Sequence, residues 1–254
     1  VYNFCFNVSW HDANARRTMT KFFISAPFGN YLKFKNAISV TGSWTVKSRP
    51  GLLPQILKTL RYVRHDGSWV WRNKIGLRNA GIHKGLQRSS SFDVVSIAPI
   101  HKWDWVNFES IISPHQSIEV NISCPNLDTE DDATSFQYFD IFPKTKRHWC
   151  ICKIPPTATE DLVDKIVDSG YNQIHASNTL ASEKGGLSGR ILVPHTVRLI
   201  EYIKRKHPHV SVIAGGGVKQ KWHAEYYLEH GADHISLGTV CFTPWKVKSI
   251  IDDF

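Results

Sequence analysis

The sequence predicts an α/β protein of the (β/α)8 TIM-barrel class, and three observations carry that reading. Short β-branched or aromatic runs alternate with amphipathic stretches in a strand-then-helix order, the pattern of a parallel sheet. Eight such runs fall within 254 residues, the length that eight strand–helix units occupy. Small residues, glycines above all, follow the later runs, where a barrel of this kind builds its site.

The elements follow in order. Residues 22–27 (FFISAP) give the first run and residues 36–42 (NAISVTG) the second. Only residues 28–36 join them, so the first helix is short or absent. From Ser43 to Asn79, turn signals mix with aromatic alternation (TVKSRPG, then GSWVWRNKIGLRNAGI), which predicts a hairpin laid over one barrel mouth. The remaining runs are 92–99, 117–123, 148–154, 172–177, 210–216 and 233–239. Amphipathic stretches over Thr159–Ser169, Pro194–Lys206, Gln220–His230 and onward from Pro244 read as helices. Pro194 and Pro244 fall where a first helical turn tolerates proline, and Gly170 and Gly231 where helices stop. No repeat or linker divides the chain, so residues 1–254 are expected to form one barrel domain. An open doubly wound sheet is the alternative.

Composition excludes several classes. With 42% apolar residues, 16 Gly and 12 Pro, the chain is neither disordered nor collagen-like, and five cysteines do not make a disulfide framework. No apolar run reaches the roughly 18 residues of a membrane span. The expectation is a soluble, cytoplasmic protein. The net charge of +9 fits either a nucleic-acid surface or a field that draws small anions into a cleft. The basic clusters at 144–147 and 204–206 read as solvated faces.

The chemistry is expected at the carboxyl ends of the runs. Gly215, Gly216 and Gly217 end the seventh run ahead of a helix, Gly238-Thr239 end the eighth, and Gly185, Gly186 and Gly189 form a turn after the sixth. Glycines let backbone N–H groups approach phosphate oxygens, so three such tips together point to a phosphate. In HWCICKIPP, Lys153 shares a face with Ile151, and Cys150 shares the other with Cys152. An inward lysine needs a compensating anion. The Cys-x-Cys pair lacks zinc spacing, so it reads as packing and no metal is expected. Asn121 and Asn126 bracket Cys124 at the fourth tip, while Asn178, Thr179 and Asn73 add amides and a hydroxyl that suit a planar ligand of carbonyls and N–H groups. A partly exposed Cys124 near positive groups could ionise and act as a base.

These residues resemble the dihydroorotate dehydrogenase family from about Ile24 to Thr239. The segments NISCPN (121–126), CKIPP (152–156), SNT (177–179), GGLSG (185–189), AGGG (214–217) and LGT (237–239) occur in the family's order. The resemblance implies a single FMN-binding (β/α)8 barrel that oxidises dihydroorotate to orotate in pyrimidine biosynthesis. Cys124 corresponds to the class 1 catalytic base, which takes the C5 proton while hydride leaves C6 for the flavin. Asn73, Asn121, Asn126, Asn178 and Thr179 match substrate-binding positions. Lys153 matches the lysine beside the flavin N1/O2 edge; Gly189, Gly216, Gly217, Gly238 and Thr239 match the phosphate grip. Ala26, Ser43, Asn121 and Ser177 complete the cofactor set. Class 1 relatives imply a homodimer, with fumarate or NAD, the latter through a partner subunit, as acceptor.

One departure stands out. The family's substrate lysine after the second strand is Gly42 here, which leaves Lys33, Lys35 or Lys47 to meet the substrate carboxylate. The alternatives are a dihydrouridine synthase-like FMN enzyme acting on tRNA, disfavoured because little chain follows the eighth run, and a flavin-binding barrel without catalysis. Neither nucleic acid nor membrane is an expected partner.

Overall fold

The computed structural model describes residues 20–123 and 138–254. Its strands are β1 (Phe22–Ile24), β2 (Ala37–Trp44), β3 (Arg61–His65), β4 (Ser68–Asn73), β5 (Val94–Ile97), β6 (Ile118–Asn121), β7 (Cys150–Ile154), β8 (Gln173–Ala176), β9 (Gly186–Ser188), β10 (Ser211–Gly215) and β11 (His234–Leu237). All but β3, β4 and β9 close into a parallel barrel, with β11 pairing back onto β1. Seven of the eight runs read from the sequence contain a whole barrel strand, and β2 extends two residues past the second run to Trp44.

The helices are α1 (Leu52–Thr59), α2 (Ile82–Arg88), α3 (Asp104–Ile111), α4 (Glu160–Asp168), α5 (Val193–Lys206), α6 (Lys221–Glu229) and α7 (Pro244–Asp252). Local chemistry sets their ends. Thr159 caps α4 by accepting from the Leu162 N–H at 3.2 Å, and Glu160 and Asp161 complement the positive end of the helix. Thr196, Leu199, Ile200 and Ile203 form the buried stripe of α5 at helical spacing. Between β1 and β2 there is only a 3-10 turn, Phe28–Asn30, as the short connection requires.

Two layers fill the barrel. Phe23, Val40, Val94, Trp149, Ile151 and Ile213 plug the amino-end half, with Phe23 and Trp149 edge to face at 5.0 Å. Two residues further along their strands the inward positions turn polar: Ser25, Ser96 and Lys153, joined by Glu119 and His175, are all buried. Cys150 and Cys152 face outward into the helix-packed core. Burial raises both thiols, that of Cys150 to about 12, so they are inert packing.

The long insertion is richer than a hairpin. β3 and β4 do form one, turning at Asp66-Gly67, but α1 precedes it. A third strand, β9, pairs with β4 through Trp71 and Ser188, Arg72 and Leu187, and Asn73 and Gly186. The glycine segment read as a phosphate-facing turn is thus partly a strand. Among the described residues no helix is long and apolar enough to cross a membrane.

Candidate active site

The polar layer ends in a connected group at the carboxyl tips of β2, β6 and β8. Asn121 donates from Nδ2 to Ser43 Oγ at 2.9 Å, and its Oδ1 accepts from Ser123 N at 3.1 Å and Ser123 Oγ at 2.7 Å. Asn178 reaches over from the β8 tip to Asn121 Oδ1 at 3.5 Å and the Ser123 carbonyl at 3.4 Å. Ser43 continues inward to Ser96 Oγ at 2.8 Å, and Ser96 donates to Glu119 Oε1 at 2.8 Å. Glu119 Oε2 then accepts from His175 Nδ1 at 2.7 Å.

Lys153 enters this network from β7. It is 4% exposed and lies 3.9 Å from Glu119 Oε1, so the anion that a buried lysine requires is present. Burial by itself would raise the Glu119 carboxyl; the charge of Lys153 and the hydrogen bonds from His175 and Ser96 overcome it and hold the pKa at about 2. Burial and the Lys153 charge push His175 below its ordinary 6.5, so at neutral pH the ring is neutral and donates its Nδ1–H to Glu119. Gly215 makes room for this ring: a Cβ there would stand 2.8 Å from His175 Nε2.

The sequence reading did not single out Glu119, His175 or Ser96. A signal existed for the first two. Glu119 alternates with Asn121 between Ile118 and Val120, and His175 alternates with Ser177 within the run QIHAS.

Asn73 ends β4, half-buried, with Oδ1 accepting from the Ile75 N–H at 3.3 Å. Thr179 follows Asn178, half-buried, and Ala26 follows β1 in the same state. The Ser177 hydroxyl is taken by Thr196 Oγ1 of α5 at 3.0 Å. Gly189, Gly216 and Gly217 have positive φ values, and Gly238 opens the 3-10 turn Thr239–Phe242. Cys124 and Asn126 lie outside the described residues.

Gly42 is closed to a side chain. Its φ is +108°, and a Cβ would stand 2.4 Å from the Ser96 carbonyl oxygen. Of the lysines named as replacements, Lys33 is paired with Asp93 at 2.6 Å, and Lys35 precedes β2 at the amino end of the barrel. Lys47 follows β2 at the carboxyl end and is exposed. Elsewhere the basic clusters are engaged locally: Lys144 with Asp140, Lys204 with Asp233, Lys206 with Asp164.

The arrangement suits a cofactor with a flat ring and a phosphate tail. At Gly217 a Cβ would meet the Val193 side chain at 2.9 Å and the Gly189 carbonyl at 3.1 Å, so bare backbone forms that tip. At Gly238 a Cβ would meet nothing within 4 Å, which leaves open space beside the Thr239 turn. Buried Lys153 offers a fixed cation within the polar layer.

The family model described as dihydroorotate dehydrogenase matches residues 27–254. The chain is 27% identical over 259 aligned residues to the dihydroorotate dehydrogenase B (NAD(+)) catalytic subunit of Thermotoga maritima, covering 89% of this chain and 92% of that one. It is 27% identical to the same-named subunit of Staphylococcus carnosus, over 77% of this chain and 74% of that one. In fold it is similar to the crystal structure of the Eimeria tenella enzyme in complex with ferulenol, with a TM-score of 0.69 at 16% identity, over 92% of this chain and 80% of that one. The ligand-free crystal structure from the same organism gives a TM-score of 0.65 at 17% identity, over 84% and 75%.

Proposed function

The chain belongs to the dihydroorotate dehydrogenase family, and on that premise we propose that it is an FMN-dependent oxidoreductase converting dihydroorotate to orotate in pyrimidine biosynthesis. The observation that carries the reading is Lys153, a cation buried within an otherwise hydrogen-bonded polar layer. FMN bound here would supply a hydride acceptor whose reduced form carries negative charge, which a fixed cation stabilises. Lys153 is assigned to that charge, with Glu119 and His175 keeping it in position.

Ala26, Ser43 and Ser177 would border the ring. Gly189, Gly216, Gly217, Gly238 and Thr239 would hold the phosphate through backbone N–H groups. Asn121 and Asn178, already bonded to each other, orient the carbonyl and N–H edges of the pyrimidine, joined by Asn73, Thr179 and Asn126. Cys124 is assigned as the base at C5. Lys47 is the cation assigned to the substrate carboxylate, since Gly42 cannot carry one and Lys33 and Lys35 are remote.

The relatives are named catalytic subunits of NAD(+)-dependent enzymes, which supports NAD as final acceptor and an assembly with a second subunit, beside the homodimer expected from the resemblance. A cytoplasmic, single-domain protein is part of the proposal. The tRNA alternative gains no support, because the family match and the local pairing of the basic clusters both favour a small substrate.

The test is anaerobic addition of dihydroorotate to the purified yellow protein. Bleaching of the flavin is expected, with orotate formed in equal amount; a flavin that stays oxidised overturns the assignment. Cys124→Ala should keep the flavin and lose most turnover near neutral pH, and full activity would remove the cysteine from the reaction.

A further inference from the structure

A cleft opens between the start of α5 and the first turns of α6, next to the Gly189 and Gly217 tips. Its wider part, about 360 Å³, is bounded by Arg190, Trp222, His223 and Tyr226 among others. An adjoining recess of about 300 Å³ shares Arg190, Trp222 and His223 and adds Lys219 and Lys246. Gly217 packs closely against its wall, since a Cβ there would stand 3.2 Å from Arg190 Cα and 2.9 Å from Val193.

Three observations make this a built site. First, His223 is 8% exposed, and neither ring nitrogen has a hydrogen-bond partner, a condition rare for buried polar groups. Burial, and after it the charge of Arg190, pushes its pKa down against the opposing pull of the Gln220 backbone, so the ring is neutral and presents a donor and an acceptor. Second, Trp222 stacks on that ring with centroids 3.7 Å apart while remaining 52% exposed, which sets a flat aromatic wall beside Tyr226. Third, Arg190 and Lys246 are exposed and form no ion pair among the described residues, and Lys219 meets only the Tyr62 ring. The positive end of α6 adds to them: its first turn holds no acidic residue, and the Gln220 side chain accepts from Trp222 Nε1 rather than capping the helix.

We propose that the cleft binds a nucleoside monophosphate. One ligand then unites what the walls ask for: a flat ring for Trp222 and Tyr226, an amide-like edge with a donor and an acceptor for neutral His223, and a dianion for Arg190, Lys219 and Lys246. The volume lies at the small end of the range of about 300–1,000 Å³ for such sites. The inference goes beyond the oxidoreductase reading and does not depend on it.

Calorimetric titration of the full-length protein with AMP, UMP and inorganic phosphate in separate runs tests it. At least one nucleotide should bind one per chain, about tenfold or more tighter than phosphate. Arg190→Ala and Lys246→Ala should each weaken it by about tenfold and leave bound flavin unchanged. Trp222→Ala should erase the advantage of nucleotide over phosphate. The proposal is overturned if neither nucleotide binds at concentrations near 5 mM, weaker than any useful affinity, or if phosphate binds as tightly. It is equally overturned if Arg190→Ala and Lys246→Ala release flavin together with nucleotide, which would make the cleft part of the flavin phosphate grip. A protein that purifies colourless yet binds nucleotide supports this inference while overturning the FMN assignment.

Discussion

Glu119 holds His175 and Lys153 at once: one carboxylate oxygen accepts from His175 Nδ1 at 2.7 Å, and the other lies 3.9 Å from Lys153 Nζ. All three side chains are buried inside the barrel, on strands β6, β8 and β7. The carboxylate is the only anion that the described interior offers the lysine.

Glu119→Gln should therefore destabilise the protein by about 3–5 kcal/mol, the cost of stranding a buried cation. Urea denaturation reads it. Combining Glu119→Gln with Lys153→Met should recover part of the loss, and an unchanged midpoint in the single variant would show that the pair does not hold the interior.

Stability should fall on acidification in two stages. His175 has its folded pKa pushed below 6.5, so its contribution is present above that value and begins to be lost as pH drops beneath it. Glu119 is lowered from 4.5 to about 2, so its contribution is present above 4.5 and is lost as pH falls through about 2. Thermal melts from pH 8 to pH 2 check this, and His175→Gln should flatten the upper stage.

Gly42→Ala should cost about 3 kcal/mol, since the backbone is left-handed there and the new Cβ meets the Ser96 carbonyl at 2.4 Å. A variant as stable as the parent, measured by melting temperature, would show that the tip of β2 can yield. Gly42→Lys should be worse, so the family's lysine cannot simply be restored here.

Lys153→Met should lower the midpoint potential of bound FMN by on the order of 30–60 mV, because reduction would then proceed without its neighbouring cation. Dye-coupled redox titration measures it, and an unaltered potential would remove Lys153 from the flavin.

Thr159→Ala should cost about 1 kcal/mol through loss of the α4 cap to the Leu162 N–H. The exposed site makes chemical denaturation a clean readout, and Thr159→Ser should restore most of it.

Legibility from sequence divides along physical lines. All eight barrel strands were readable because each is a short β-branched or aromatic run set off by turn residues. Lys153 was readable as inward because it alternates with apolar Ile151. β9 was not, since Gly186-Leu187-Ser188 has almost no strand propensity and extends only because the edge of β4 offers it hydrogen bonds. α1 was hidden by Pro50-Gly51 and Pro54, which read as loop. The bond from Glu119 to His175 joins positions 56 residues apart in the chain, and no local pattern announces it.

The pairing of β9 with β4 ties two jobs to one piece of backbone. The β3–β4 hairpin and the segment leading into Gly189 form a single plate. A shift of that plate would carry Gly189 with it, so the hairpin and a residue proposed for the phosphate grip rest on one shared support.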